Sequence, residues 1–181
     1  MPTISKVRGK NESESITLRV DKSILNELRQ ESVQKVEKIN TLANRIFKSY
    51  VNWHKPANSA GLVYISKAFL VEALGSLADE QIVKLAKNYV KSQIKDKIHM
   101  LRRDYTVLSF LDVLCSWLEL GDFHYRHDES NNYNTYVIQL DMGRKWSIFF
   151  GKYLQYAFED LKVKNVEFEV TDNMVMFRIK K

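Results

Sequence analysis

The chain has 181 residues, 45% of them hydrophobic and 12% aromatic, with 28 Lys and Arg against 22 Asp and Glu and a single Cys. This is enough apolar content for a buried core and too little cysteine for a disulfide scaffold, and no apolar run is long enough for a membrane span. Six Gly and two Pro favour helices over a loop-rich all-β fold.

The basic excess is uneven. Residues 1–56 hold 11 Lys and Arg against 6 acids, a surplus of five out of the net +6. Phosphates attract such a surplus whatever the sequence, so it raises the expectation of a nucleic-acid partner. A solvated basic surface is the alternative. Residues 1–14 are polar and aperiodic and read as a flexible basic arm. They lack the apolar stretch of a signal peptide, and with the lone Cys this gives the expectation of a cytoplasmic protein without a membrane partner.

Ser15-Ile16-Thr17-Leu18-Arg19-Val20 alternates strictly, which predicts a strand with Ile16, Leu18 and Val20 on one face and Ser15, Thr17 and Arg19 on the other. Asp21 reads as an N-cap. A helix then carries Ile24, Leu25, Leu28, Val33 and Val36. A second helix, capped by Asn40 or Thr41, presents Leu42, Ala43, Ile46, Phe47, Tyr50 and Val51. One strand and two helices in about forty residues bury too little to stand alone, and a lone strand leaves an unpaired edge. A second copy solves both problems: the strands pair antiparallel across a twofold axis and four helices close over the apolar face. The outward residues then lie on a two-stranded ribbon of the width that enters a major groove.

Residues 15–53 resemble the ribbon-helix-helix family, the type found in the Met and Arc repressors. The strand ITLRV, Asp21 at the first helix, and the segment INTLANRIFKSYVNWH carry the resemblance. Where many members have Gly before the second helix, this chain has Glu37-Lys38-Ile39. The resemblance implies a homodimer, or a higher even oligomer, that binds double-stranded DNA. It implies base reading by Thr17 and Arg19, with Ser15 a weaker reader, and phosphate contacts at Asn40 and Thr41. An ordinary edge strand is the alternative reading of 15–20.

Residues 54–61 (HKPANSAG) read as a linker. Leu62–Ile65 is a short apolar run that suits a strand. Ser66 caps a helix from Lys67 to Leu74, ended by Gly75. Ser76–Asp79 resembles a capping box. A long helix follows to about Arg103, its stripe formed by Ile82, Leu85, Ala86, Tyr89, Val90, Ile94, Ile98 and Leu101. Lys84, Lys87, Lys91, Lys95 and Lys97 lie mostly off that stripe; they read as a solvated face, with a second DNA-contacting face the alternative. Another helix covers Thr106–Leu120, stopped by Gly121. This makes 62–121 a helical segment.

From Asp122 the period becomes two. Phe123–Asp128 and Thr135–Asp141 read as a hairpin around SNNYN. Asp141 caps a helix from Gly143 to Leu161. Val166–Val170 and Met174–Ile179 form a second hairpin, turned at Asp172-Asn173 by residues that tolerate positive φ. Residues 122–181 are thus a β-β-α-β-β domain with an antiparallel sheet, and the whole chain is α+β.

Little chemistry is written in this part. His124 and His127, three apart on a strand, point to opposite faces, and with Asp122, Asp128 and Cys115 they lack a metal-ligand spacing. His99, within the long helix, is read as a surface or half-buried residue. Cys115 sits among apolar neighbours and is read as an inert thiol. No catalytic motif occurs, and Asp141 would repel an anion at the 143 helix start. Neither catalysis, a cofactor nor a metal is expected. Trp117, Trp146, Phe149, Phe150, Tyr153 and Tyr156 read as core, with a ligand pocket or subunit interface the alternative. The expected function is a dimeric, sequence-specific DNA-binding transcriptional regulator whose C-terminal part meets a small-molecule or protein effector. An antitoxin-like interaction module and an enzymatic C-terminal domain are the rivals.

Overall fold

The computed structural model describes residues 14–181; the rest of the arm, 1–13, lies outside the described residues. The chain divides into two units, one ending at Phe47 and the other running from Lys48 to Lys181. Among the described residues no helix is long and apolar enough to cross a membrane.

The first unit is a helix pair. Helix α1 spans Lys22–Gln34 and α2 begins at Ile39 and runs to Ser49. The turn between them is a Schellman motif: Glu37 N–H donates to Ser32 C=O at 2.9 Å and Val36 N–H to Val33 C=O at 3.1 Å. That geometry needs a left-handed residue before Glu37, normally Gly. Here Val36 occupies it at φ 52°, with its side chain 93% exposed. A β-branched residue in this region costs about 1–2 kcal/mol. Val36→Gly is therefore expected to stabilise the helix pair by about 0.5–1 kcal/mol after the flexibility glycine adds to the unfolded chain. Slower amide exchange at Glu37 and Leu42 checks this; unchanged or faster exchange contradicts it.

The second unit opens in helix. A π-helical segment, Tyr50–His54, leads into α3, Lys55–Ser59. The linker expected over 54–61 is thus a correction: Trp53, Ala57 and Ala60 fall at helical spacing and are buried. Pro56 misled the reading because proline lacks the N–H that would bond the carbonyl of Asn52. The structure supplies another donor, since Arg102 Nη1 reaches Asn52 O at 2.8 Å. Arg102 also holds Asp112 and, at 2.9 Å, Ser116 Oγ, which ties this turn to two later helices.

Residues 62–66 carry no strand, a second correction. Val63 and Tyr64 are exposed, and an unpaired apolar run has no ladder to join. Helix α4, Lys67–Gly75, starts as expected, with Ser66 Oγ accepting from Phe69 N–H at 3.2 Å. Helix α5, Asp79–Tyr89, starts later than the capping box at Ser76 implied. Ala78 precedes it and has no side-chain acceptor, so only the reverse half forms: Gln81 Oε1 accepts from Ala78 N–H at 2.8 Å.

A second π segment, Val90–Ile94, joins α5 to α6, Lys95–Arg102. The sequence explains it. Ile82, Ala86, Val90, Ile94 and Ile98, all buried, repeat every four residues, which drifts about 40° per step around an α-helix. One residue inserted by a π turn removes about 100° of that drift and keeps the row inward. Leu85, expected in the stripe, faces out. Helix α7, Val107–Leu120, has the Gly121 stop read from the sequence; Thr106, expected as its first residue, is instead its N-cap, with Oγ1 accepting from Ser109 N–H at 3.2 Å.

The sheet follows. Strands β1 (Tyr125–Glu129), β2 (Tyr133–Gln139), β3 (Val166–Val170) and β4 (Met174–Lys180) pair antiparallel in the order β1-β2-β4-β3, so the α+β layout stands. Helix α8, Arg144–Asp160, packs on one face. Register aligns His127, Tyr136, Phe177 and Phe168 in one row across all four strands. Tyr136 stacks on His127 at 4.1 Å and on Phe177 at 4.8 Å, and Phe158 of α8 sits 5.2 Å from Phe177.

Two local expectations are corrected here. Asp141 does not cap α8; it sits at φ 50° and accepts from Gln139. The role passes to Asn173, whose Oδ1 accepts from Gly143 N–H at 3.1 Å, while Ser147 Oγ donates to Asp172 O at 2.9 Å. The 171–173 turn forms without positive φ at Asp172 or Asn173, because its residues are held by the start of α8. Trp53, residues of α3, α4, α6, α7 and α8, and the sheet share one continuous core.

Candidate nucleic-acid interface

Residues 14–21 form no strand, and every one is exposed. The strand expected over 15–20 is therefore not made within one chain. The physical reason is the one read from the sequence: a strand needs a hydrogen-bonding neighbour, and none pairs with it among the described residues. Ile16, Leu18 and Val20 are left 75%, 52% and 44% exposed. Ser15, Thr17 and Arg19 alternate with them and are equally open.

Asp21 stands at the N-cap position with φ −56° and ψ 138°, but its side chain makes no cap bond. Its backbone oxygen accepts from Leu25 N–H at 2.9 Å. The carboxylate acts there only as a charge near the positive end of α1.

Asn40 and Thr41 are not caps. Helix α2 begins one residue earlier, at Ile39, so they are its second and third residues. The first full helical bond runs from Leu42 N–H to Lys38 O at 3.1 Å, which leaves the amides of Ile39 and Asn40 without a helical acceptor. Thr41 N–H bonds Lys38 O at 2.8 Å. A helix start with free amides has the geometry that favours an anion.

The carboxylate nearest that start is occupied. Glu37 pairs with Arg45 at 2.7 Å. Glu31 pairs with Lys35 at 2.7 Å and stands 3.7 Å from Arg45. The Lys35 hydrogen bond holds the Glu31 carboxyl below its ordinary range, partial desolvation opposes this, and the charges of Lys35 and Arg45 assist it.

The helix pair has a thin interior. Among its described residues Leu42 is the one buried apolar side chain, and Ser32, bonded to Arg29 O at 2.8 Å, is the one buried polar group. Ile24, Ile46 and Phe47 are exposed.

In the second unit, burial pushes the Cys115 thiol up, against a hydrogen bond from Tyr125. A thiol so held stays protonated and is a poor nucleophile. Burial also pushes the Tyr136 hydroxyl up to about 12. His127 lends its ring to the aromatic row, and no group of three His, Cys, Asp or Glu converges among the described residues. Sequence reasoning missed the His54–Tyr64 hydrogen bond, because it had placed these residues in a linker and a strand. No family model matches the chain, and no curated protein shows significant similarity to it.

Proposed function

We propose that the chain is a dimeric, sequence-specific DNA-binding protein, a transcriptional regulator that reads the major groove with a two-stranded ribbon. One observation carries the reading: an exposed alternating segment, Ile16–Val20, precedes a helix pair with a single buried apolar side chain. A second copy supplies both the strand partner and the missing core. Pairing puts Ile16, Leu18 and Val20 inside and turns Ser15, Thr17 and Arg19 toward the groove. The surplus of positive charge in residues 1–56 then faces phosphate.

The roles divide by chemistry. Arg19 donates two parallel bonds to guanine and reads sequence, and Thr17 bonds a base edge or touches a thymine methyl. The start of α2, at Asn40 and Thr41, fixes register on the backbone without reading it. Arg19→Ala is expected to cost about 1–3 kcal/mol at the preferred site and much less on scrambled DNA. Thr41→Ala should weaken both more evenly. The measurement is a titration at fixed salt, with a site selected from random DNA compared with its scrambled version. An unchanged ratio of the two affinities in Arg19→Ala rules out the ribbon as the reader.

A further inference from the structure

The aromatic residues of the second unit do not close into a solid core. A cavity of about 200 Å³ lies against the 62–66 loop, and a second of about 210 Å³ shares four of its walls, Trp53, Leu62, Trp117 and Trp146. A dry cavity of about 150 Å³ already accepts a benzene ring, so each space holds a small ring system. Trp117 stacks near-parallel to Phe123 and Phe150, at 4.9 and 5.4 Å, which gives the space a flat wall. Unfilled, such walls forgo dispersion contacts on one side.

Two polar features single out an occupant. Trp146 is buried, and its Nε1 has no hydrogen-bond partner among the described residues. Buried indole N–H groups normally find one. Lys67, which lines the same cavity, is exposed, with Nζ over the Phe123 ring at 3.9 Å. No carboxylate is among the residues lining this first cavity. A buried donor and an exposed cation lining one cavity, with no carboxylate among its described lining residues, select a ligand with an acceptor and a negative charge. The 62–66 loop supplies one wall and is fastened to the helical segment by the Tyr64–His54 hydrogen bond.

We propose that the cavity between Trp53, Trp117 and Trp146 is a binding site for a small planar aromatic carboxylate whose ring bears a second hydrogen-bond acceptor. The ring lies against Trp117, the ring acceptor takes the Trp146 Nε1–H, and the carboxylate meets Lys67. This inference stands apart from the DNA-binding reading.

The test uses the full chain and three probes: quinoline-4-carboxylate, quinoline, and 1-naphthoate, which lacks the ring nitrogen. Binding is followed by the Trp146 indole N–H signal in nuclear magnetic resonance spectra. Quinoline-4-carboxylate should move that signal and bind about fivefold or more tightly than either relative, each of which lacks one polar contact. Lys67→Gln, at an exposed position, should abolish the advantage over quinoline and leave the advantage over 1-naphthoate. Trp146→Phe, which removes that reporter and is followed instead by the indole N–H signals of Trp53 and Trp117 in the same cavity wall, should do the reverse. If Trp146→Phe does not fold, the comparison with 1-naphthoate in the natural chain reads the same contact. The proposal is overturned if quinoline-4-carboxylate leaves the Trp146 signal unmoved at millimolar concentration, or if Lys67→Gln weakens it and quinoline equally.

Discussion

Phe177→Ala is expected to destabilise the second unit by about 3–5 kcal/mol. Phe177 lies on β4, an inner strand of the sheet, and is fully buried. Its ring meets Tyr136, Phe158 and Phe168 at 4.8, 5.2 and 6.1 Å. Truncation therefore removes the ring's own transfer energy and opens a gap between the sheet and α8. The neighbours are large rings held on the sheet and on α8, so they collapse into it only in part. His127 provides the contrast. It ends the same row on the edge strand β1 and is exposed, so His127→Ala should cost about 1 kcal/mol or less. Urea unfolding followed by tryptophan fluorescence measures both, because Trp53, Trp117 and Trp146 all lie in this unit. A Phe177→Ala cost within 1 kcal/mol of that for His127→Ala would falsify the assignment of this row as the structural centre of the domain.

Much of the second unit is legible because its local signals agree with one another. Ser66 caps the helix it precedes and Gly121 stops α7. Period-two runs locate all four strands, and the loop after Glu129 and the turn after Val170 join the expected pairs. What escapes the sequence is tertiary in origin. Pro56 signals a break, yet a guanidinium from 46 residues downstream, on Arg102, satisfies the carbonyl that proline leaves bare. Asp141 is the better intrinsic cap for α8, yet Asn173 reaches the helix start from the other hairpin. Leu62–Ile65 has strand composition, but no sheet edge is offered to it. In each case a distant group overrides a local preference.

The candidate interface divides along the same line. Helix α1 is read from the residues, but the turn after it is not: Val36, expected in the helical pattern, lies beyond the helix end in the glycine conformation. The alternation of 15–20 is equally plain, but its meaning depends on a partner strand, and a single chain leaves the apolar and polar positions alike in solvent. Period two tells which residues share a face; only pairing decides which face is buried. The aromatic cluster shows the opposite limit. Its composition indicates a core, whereas the gaps among Trp53, Trp117 and Trp146 follow from ring shapes that no periodicity encodes.

Leu18→Asp is expected to abolish dimerisation through the first unit, whereas Thr17→Asp, one residue away, should leave the dimer intact and abolish DNA binding. The two side chains are exposed in the single chain, so one copy gives no reason for them to differ. Pairing creates the difference. With Ile16, Leu18 and Val20 turned inward, an Asp at 18 places a carboxylate from each copy in an apolar interior beside the twofold axis. Each loses hydration without gaining a partner, and the two repel. A penalty of about 4 kcal/mol or more weakens the dimer roughly a thousandfold. At position 17 the carboxylate stays in water on the ribbon's outer face, where it costs the dimer little and meets the phosphates and base edges with the wrong sign. Sedimentation of the full chain across a concentration series, with circular dichroism to follow the helices, separates these outcomes. On the proposed reading the first unit folds only with its second copy, so Leu18→Asp should also lose the α1 and α2 signal while the fluorescence of the second unit is preserved. A natural chain that remains monomeric with α1 and α2 stably folded, or a Leu18→Asp chain that dimerises as well as Thr17→Asp, removes the paired ribbon and the groove-reading mechanism with it.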